Sequence, residues 1–299
     1  MARQIIEQDI AKVQALVQKV LGVDGYKSMA RMGGLTNHTY HVTLDNGSEY
    51  VVRIPGDGTE ELIVRSDEKI STTLACDLGI DAEMLYFGDD GSKVTRYIPN
   101  AITMSAATLH EKEHIDQMAA IFRKLHTCGV DTGVPFEVFD MAAGYEKIIR
   151  DKDVPMYDDY AQVKATVMAI KAQVDAHGIA PKVPCHNDAL CENWVVGDGR
   201  MYLIDWEYAG MNDGMWDLAD VSIEAGFDAE HDEMFLRSYL ERQPNTDDKK
   251  HFLASKLYVD YLWTLWAKAR VPYDGQPMED WATERYARLK ENINIYKTI

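Results

Sequence analysis

The stretch CHNDALCENW, Cys185 to Trp194, sets two cysteines, a histidine, an aspartate, a glutamate and two asparagines within ten positions. Three chemistries use such side chains. As a metal site, Cys185, His186, Asp188 and Cys191 would offer soft and borderline ligands. Structural zinc sites, however, pair ligands two to four residues apart and need a second pair elsewhere, and the sequence has none. As a thiol site it needs a cysteine beside a base at a helix start, which neither cysteine clearly has. The third reading takes Asp188 and Asn193 together with Asp205 at the end of YLIDWE. A loop aspartate, an asparagine five positions later and a second aspartate closing the next hairpin are how kinase-type phosphotransferases set out their base and metal ligands. Transfer of a γ-phosphoryl group from ATP requires an oriented alcohol, a cradled triphosphate and Mg²⁺ held by hard oxygen ligands. These residue types can do each of those things.

A second pattern lies downstream. Trp263 and Trp266 in YLWTLWAKAR are three apart and therefore neighbours on one helical face. Such a pair is more often core than binding site. No GxxxxGK[ST] stretch occurs, so a Walker-type phosphate loop is absent.

The elements that must carry these residues are legible in the hydrophobic periodicity. Ile6, Ile10, Val13, Val17 and Val20 predict an amphipathic helix that stops at Gly22. Tyr40, Val42 and Leu44 alternate on one side of DNG, and Tyr50, Val52 and Ile54 on the other, which predicts a β-hairpin. EELIVRSDEKISTTLACDLG reads as a helix, and AEMLYFGDDGSKVTRYIP as two strands around a DDG turn. After Pro99 the pattern becomes helical, with Ile115, Met118, Phe122 and Leu125 on one face and another helix over YDDYAQVKATVMAIKAQVDAHG. Strand signals return only in NWVVGDGRMYLIDWEY. The expected organisation is α+β, with a β-rich lobe over 1–97 and a mainly helical lobe over 98–299 that contains the late hairpin.

Composition narrows the function classes. A formal net charge of −18 over 299 residues repels polyanions, against nucleic acid or an anionic membrane as partner. MARQIIEQDI carries charge throughout and no apolar run follows it, so neither a signal peptide nor a membrane span is expected. Four cysteines without a CxxC pair suit a reducing compartment, so free thiols and a cytoplasmic location are expected.

Taken together, HNDALCEN, IDWEYAG and WDLAD resemble the catalytic segment of the choline/ethanolamine kinase family, relatives of aminoglycoside phosphotransferases with a protein-kinase-like fold. GGLTNHTYHV resembles that family's nucleotide-phosphate loop, VVRIPG its strand with an ATP-contacting arginine, KLHTC its Leu-His signature and YLWTLWAKAR its choline-site helix. The resemblance implies that Asp188 orients the substrate hydroxyl and takes its proton, while Asn193 and Asp205 bind Mg²⁺. Glu207 would either assist the metal or face solvent. Gly33, Gly34, Thr36 and Asn37 would cover the phosphates with backbone N–H groups. Arg53 would contact ATP, with Glu68 as its ion-pair partner, and the VTRYIP segment around Tyr97 would bond adenine through its backbone. Tyr208, Glu224, Trp263, Trp266 and Trp281 would receive choline, while His186 and Asp217 would support the loop. The implied reaction is ATP-dependent phosphorylation of choline, the alternatives being an ethanolamine or other amino-alcohol kinase, an aminoglycoside phosphotransferase, or a non-catalytic binder of quaternary amines.

Overall fold

The computed structural model of the chain describes residues 5–32, 37–56 and 63–298. In chain order these form α1 (Glu7–Leu21), β1 (Ser28–Arg31), β2 (His38–Thr43), β3 (Glu49–Ile54), α2 (Arg65–Asp77), β4 (Met84–Phe87), β5 (Lys93–Arg96) and β6 (Ile102–Thr103). There follow α3 (Ala106–Leu109), α4 (Lys112–His126), α5 (Val138–Asp151), α6 (Tyr160–His177), β7 (Lys182–Cys185), β8 (Trp194–Gly197), β9 (Arg200–Leu203) and β10 (Gly210–Asp213). The chain ends with α7 (Met215–Ala225), α8 (Ala229–Leu240), α9 (Thr246–Asp274) and α10 (Gln276–Tyr296). Two compact units result, one of residues 1–104 with 192–209 and one of 105–191 with 210–299.

The first unit is built on an antiparallel sheet in the order β1-β2-β3-β5-β4. The expected hairpin forms it, with Tyr40 opposite Val52 and Val42 opposite Tyr50. Its inward residues pack against Val13 and Val17 of α1 to make the core. Ile10, expected on that face, is 39% exposed. Asp9 points inward in its place and accepts hydrogen bonds from Tyr40 Oη at 2.6 Å and from His38 Nδ1 at 2.7 Å. A buried carboxylate needs such partners, and they outweigh the apolar pattern at this turn.

The late hairpin, β8 and β9, belongs with this first unit and not with the helices, unlike the division expected between 97 and 98. Hydrogen bonding is the reason. β8 pairs with β6, Leu203 N–H donates to the Ile80 carbonyl at 3.2 Å and Met104 N–H to the Trp194 carbonyl at 2.8 Å. Val195 and Tyr202 share a small core with Ala82 and Ile98.

The second unit is helical around α9, which starts on an Asn245–Asp248 capping box and packs against α5, α6, α7 and α10. Ile115, Met118, Phe122 and Leu125 all lie inward on α4, as their spacing predicts. β7 and β10 form a two-stranded ladder in this unit. Among the described residues no helix is long and apolar enough to cross a membrane.

Candidate active site

In the first unit, the hairpin β8–β9 sets Asn193 and Asp205 at its open end. Trp194 pairs with Leu203, and the next residue, Ile204, donates its N–H to the Asn193 carbonyl at 2.9 Å. Asp205 then turns into the left-handed region, with φ 72°, a conformation that a short polar residue tolerates better than most and that functional sites retain. Its side chain is 43% exposed. Crowding by protein raises its pKa to about 6, Glu207 adds to the rise, and Arg53 and Lys93 oppose it. This partly open carboxylate, 3.9 Å from Arg53 Nη1, and the asparagine that starts the hairpin carry hard oxygens of the kind Mg²⁺ takes.

Around this pair stands a buried charge network. Arg53 Nη1 lies 2.5 Å from Glu68 Oε1. Burial works against both charges, yet the pairing prevails, holding Glu68 below the usual carboxylate range and Arg53 above its ordinary value. Arg53 also donates through Nε and Nη2 to the Gly91 carbonyl, at 3.2 and 2.7 Å. Gly91 is at φ 86°, and a Cβ there would sit 2.4 Å from Arg65 Nε, so only glycine fits. Glu207 does not face solvent. It accepts from Arg65 Nη1 at 2.5 Å and from Asn37 Nδ2 at 2.9 Å.

Arg65 and Lys93, which Glu68 also faces, are contributors that the sequence reading missed. The spacing of Arg65 three residues before Glu68 on one helix was the available signal. Gly33, Gly34 and Thr36 lie outside the described residues. Tyr97 is stacked on His41 with ring centres 4.0 Å apart, and its N–H donates to the Glu49 carbonyl at 3.2 Å, so that donor is committed within the sheet. Tyr208 is half-buried on the turn after Asp205.

In the second unit, the loop 186–190 hangs from the first and second turns of α7. Asp217 accepts from His186 N–H at 2.9 Å and Asn187 N–H at 2.8 Å, and also from His126 Nε2 at 3.0 Å. Asn187, at φ 67°, is fixed further by Asn212 Nδ2 and by Trp216 Nε1, which donates to its carbonyl. Asp188 N–H donates to His186 Nδ1 at 3.3 Å. Asp220 accepts from Ala189 N–H at 2.6 Å. Burial pushes its carboxyl well above the usual range, and Glu224 and Asp188 push it further. Asp188 itself is half-buried, and its charge, after burial, helps raise the phenol of nearby Tyr145. The loop therefore presents one carboxylate on a backbone pinned on both sides. Asn187 and Asp220 were not singled out by the sequence reading, because nothing in their spacing distinguishes them from turn and helix residues.

The aromatic residues also gather in this unit. Trp263 and Trp266 meet edge to face with centroids 6.0 Å apart, and Trp266 meets Trp281 in the same way at 5.9 Å. Trp263 is only 5% exposed, whereas Trp266 and Trp281 are half-buried. Glu224, at the end of α7, is bonded to Arg285.

His126, Cys185 and Asp217 place ligand-type atoms within 4.8 Å of one another. These atoms are already committed: both Asp217 oxygens accept N–H groups, and His126 Nδ1 lies 2.9 Å from Tyr239 Oη. Burial raises the Cys185 thiol well above its ordinary value and so keeps it protonated and inert. Cys185→Ala with Cys191→Ala is expected to leave kcat within about threefold of wild type, the cost being small cavities. Metal analysis is expected to find no stoichiometric zinc, and one tightly held zinc per chain would overturn this.

The family model described as Choline/ethanolamine kinase matches residues 29–296. Protein LicA of Haemophilus influenzae is 29% identical over 262 residues, covering 85% of this chain and 76% of the relative. The crystal structure of choline kinase LicA from Streptococcus pneumoniae superposes with TM-score 0.83 at 31% identity, covering 97% of this chain and 100% of that one. A choline/ethanolamine kinase family protein from Mesorhizobium loti gives TM-score 0.84 at 31% identity, with 95% and 94% covered. The expected fold class, α+β and protein-kinase-like, is the fold of these structures.

Proposed function

The chain belongs to the choline/ethanolamine kinase family, and from that premise we propose that it transfers the γ-phosphoryl group of ATP to the hydroxyl of choline, giving phosphocholine and ADP. The observation that carries the reading is the pair of half-buried indoles, Trp266 and Trp281, backed by the buried Trp263, in the same unit as the pinned Asp188 loop. Indole faces suit a trimethylammonium group, and a fixed carboxylate suits an alcohol that must be oriented and deprotonated.

Asp188 holds the substrate hydroxyl and takes its proton as the oxygen–phosphorus bond forms. Asp217 and Asp220 keep the loop in place, so that little reorganisation is left for the reaction step. Arg53, made rigid by Glu68 and the Gly91 carbonyl, faces the phosphates. Asp205 and Asn193 would hold Mg²⁺, which would supply charge neutralisation for the transferring phosphoryl group. Glu207, engaged by Arg65 and Asn37, supports that end of the site from behind. The residues 33–37 would cover the phosphates. The adenine would be met by backbone of the VTRYIP segment other than the Tyr97 N–H. Tyr208 would add an aromatic wall to the amine site. The use of ATP and the four free cysteines support a cytoplasmic location.

The test is ADP release with Mg·ATP and, in turn, choline, ethanolamine, thiamine and an aminoglycoside. Choline is expected to give the highest kcat/KM. Highest turnover with the aminoglycoside or thiamine would refute the assignment, and highest turnover with ethanolamine would keep the reaction but change the acceptor.

A further inference from the structure

Glu224, the carboxylate expected beside the amine, already has a cation. Arg285 on α10 is 2% exposed. Its Nη2 donates to Glu224 Oε1, and its guanidinium carbon lies 4.1 Å from the ring centre of Trp281. A second carboxylate, Asp260, is 3.4 Å from Arg285 Nη1, but Asp260 is held independently by Arg288 through bonds of 2.9 and 2.6 Å. Glu224 is therefore the main partner of Arg285. Its side chain keeps 17% of its surface open, so it still borders accessible space.

The two candidate ammonium groups respond differently to this arrangement. A primary ammonium carries three N–H donors and loses affinity for each one left without an acceptor. A carboxylate that already accepts from a guanidinium offers it one oxygen fewer, with its negative charge offset. A trimethylammonium has no donors to satisfy and is held by aromatic faces, of which Trp266 remains available. Resting on the choline-kinase reading above, we propose that Arg285 is a positioning residue that sets amine specificity: by holding Glu224, it withholds the acceptor a primary ammonium needs and tilts the site toward a quaternary one.

The experiment measures kcat/KM for choline and for ethanolamine with wild type, Arg285→Met and Arg285→Gln, at saturating Mg·ATP. Met removes the hold on Glu224 while filling much of the same volume. Gln keeps a neutral donor of similar reach and is the safer variant for folding. The choline-to-ethanolamine ratio is expected to fall about tenfold in Arg285→Met and about threefold in Arg285→Gln, the scale on which single contacts in a specificity pocket act. A purely structural role would lower both amines together and leave the ratio unchanged, so a ratio within about twofold of wild type in a folded variant overturns the proposal. Wild-type protein gives a readout that needs no variant: KM should fall along the series ethanolamine, N-methyl, N,N-dimethyl and choline, and a flat or reversed series also overturns it. Wild type inert toward every member removes the functional reading itself, and that failure appears before any variant is made.

Discussion

Asp205→Asn is expected to abolish measurable phosphorylation of choline while leaving the protein folded. The substitution is chosen over Ala because Asp205 sits at φ 72°, where Asn is tolerated and Ala is strained, so a loss of activity is not a loss of backbone. An amide in place of the carboxylate cannot supply the charge that Mg·ATP calls for, and the KM for Mg·ATP should rise as kcat falls by roughly a thousandfold or more. Partial recovery at high Mg²⁺ would accompany a weakened metal site. Asp188→Asn should behave differently. Its loop is pinned by Asp217 and Asp220 through the neighbouring backbone, so the loop stays where it is. Mg·ATP affinity holds, and kcat drops by about 10²- to 10⁴-fold, the usual contribution of a general base. Near wild-type turnover of Asp205→Asn at ordinary Mg²⁺ would show that the metal is held elsewhere.

These variants sit on the part of the site that was most legible before the structure. Strand alternation around DNG and GDG locates two hairpins, and a hairpin constrains what flanks it, so Asn193 and Asp205 could be paired from sequence. The bracing of the loop by Asp217 was expected from the resemblance of WDLAD to the family's segment, and the bonds it accepts from His186 and Asn187 N–H groups agree with it. What the sequence does not display is which charged residue meets which across elements. Arg65, Lys93 and Arg285 look like ordinary helix and strand cations, and only tertiary packing aims them at Glu207, Glu68 and Glu224. Asp9 illustrates the same limit from the other side: a polar residue on an amphipathic helix reads as solvent-facing until Tyr40 and His38 satisfy it in the core. The placement of β8 and β9 with the sheet-bearing unit also escaped, because its cause is a ladder to β6, two residues long with both exposed, which leaves almost no hydrophobic signature.

The tryptophan pair separates into two different experiments. Trp263 is 5% exposed on α9, and truncating a buried indole costs about 3 to 5 kcal/mol. In a chain of this size that corresponds to a melting temperature lower by roughly 5 to 8 °C. Trp263→Ala is therefore expected to lose thermal stability first and to impair turnover with all substrates through the folded fraction. Trp266 is half-buried and links Trp263 to Trp281 edge to face, so it has open surface to offer. Trp266→Ala should raise the choline KM about five- to thirtyfold, the equivalent of a desolvated cation–π contact of roughly 1 to 2 kcal/mol, with the KM for ATP nearly unchanged. Trp266→Phe keeps an aromatic face and should fall between wild type and Ala in KM, with a melting temperature near wild type. Should Trp266→Ala lose stability as Trp263→Ala does while its folded fraction keeps the wild-type choline KM, both indoles belong to the core. Recognition of the ammonium group would then have to rest on Trp281 and the residues around Glu224.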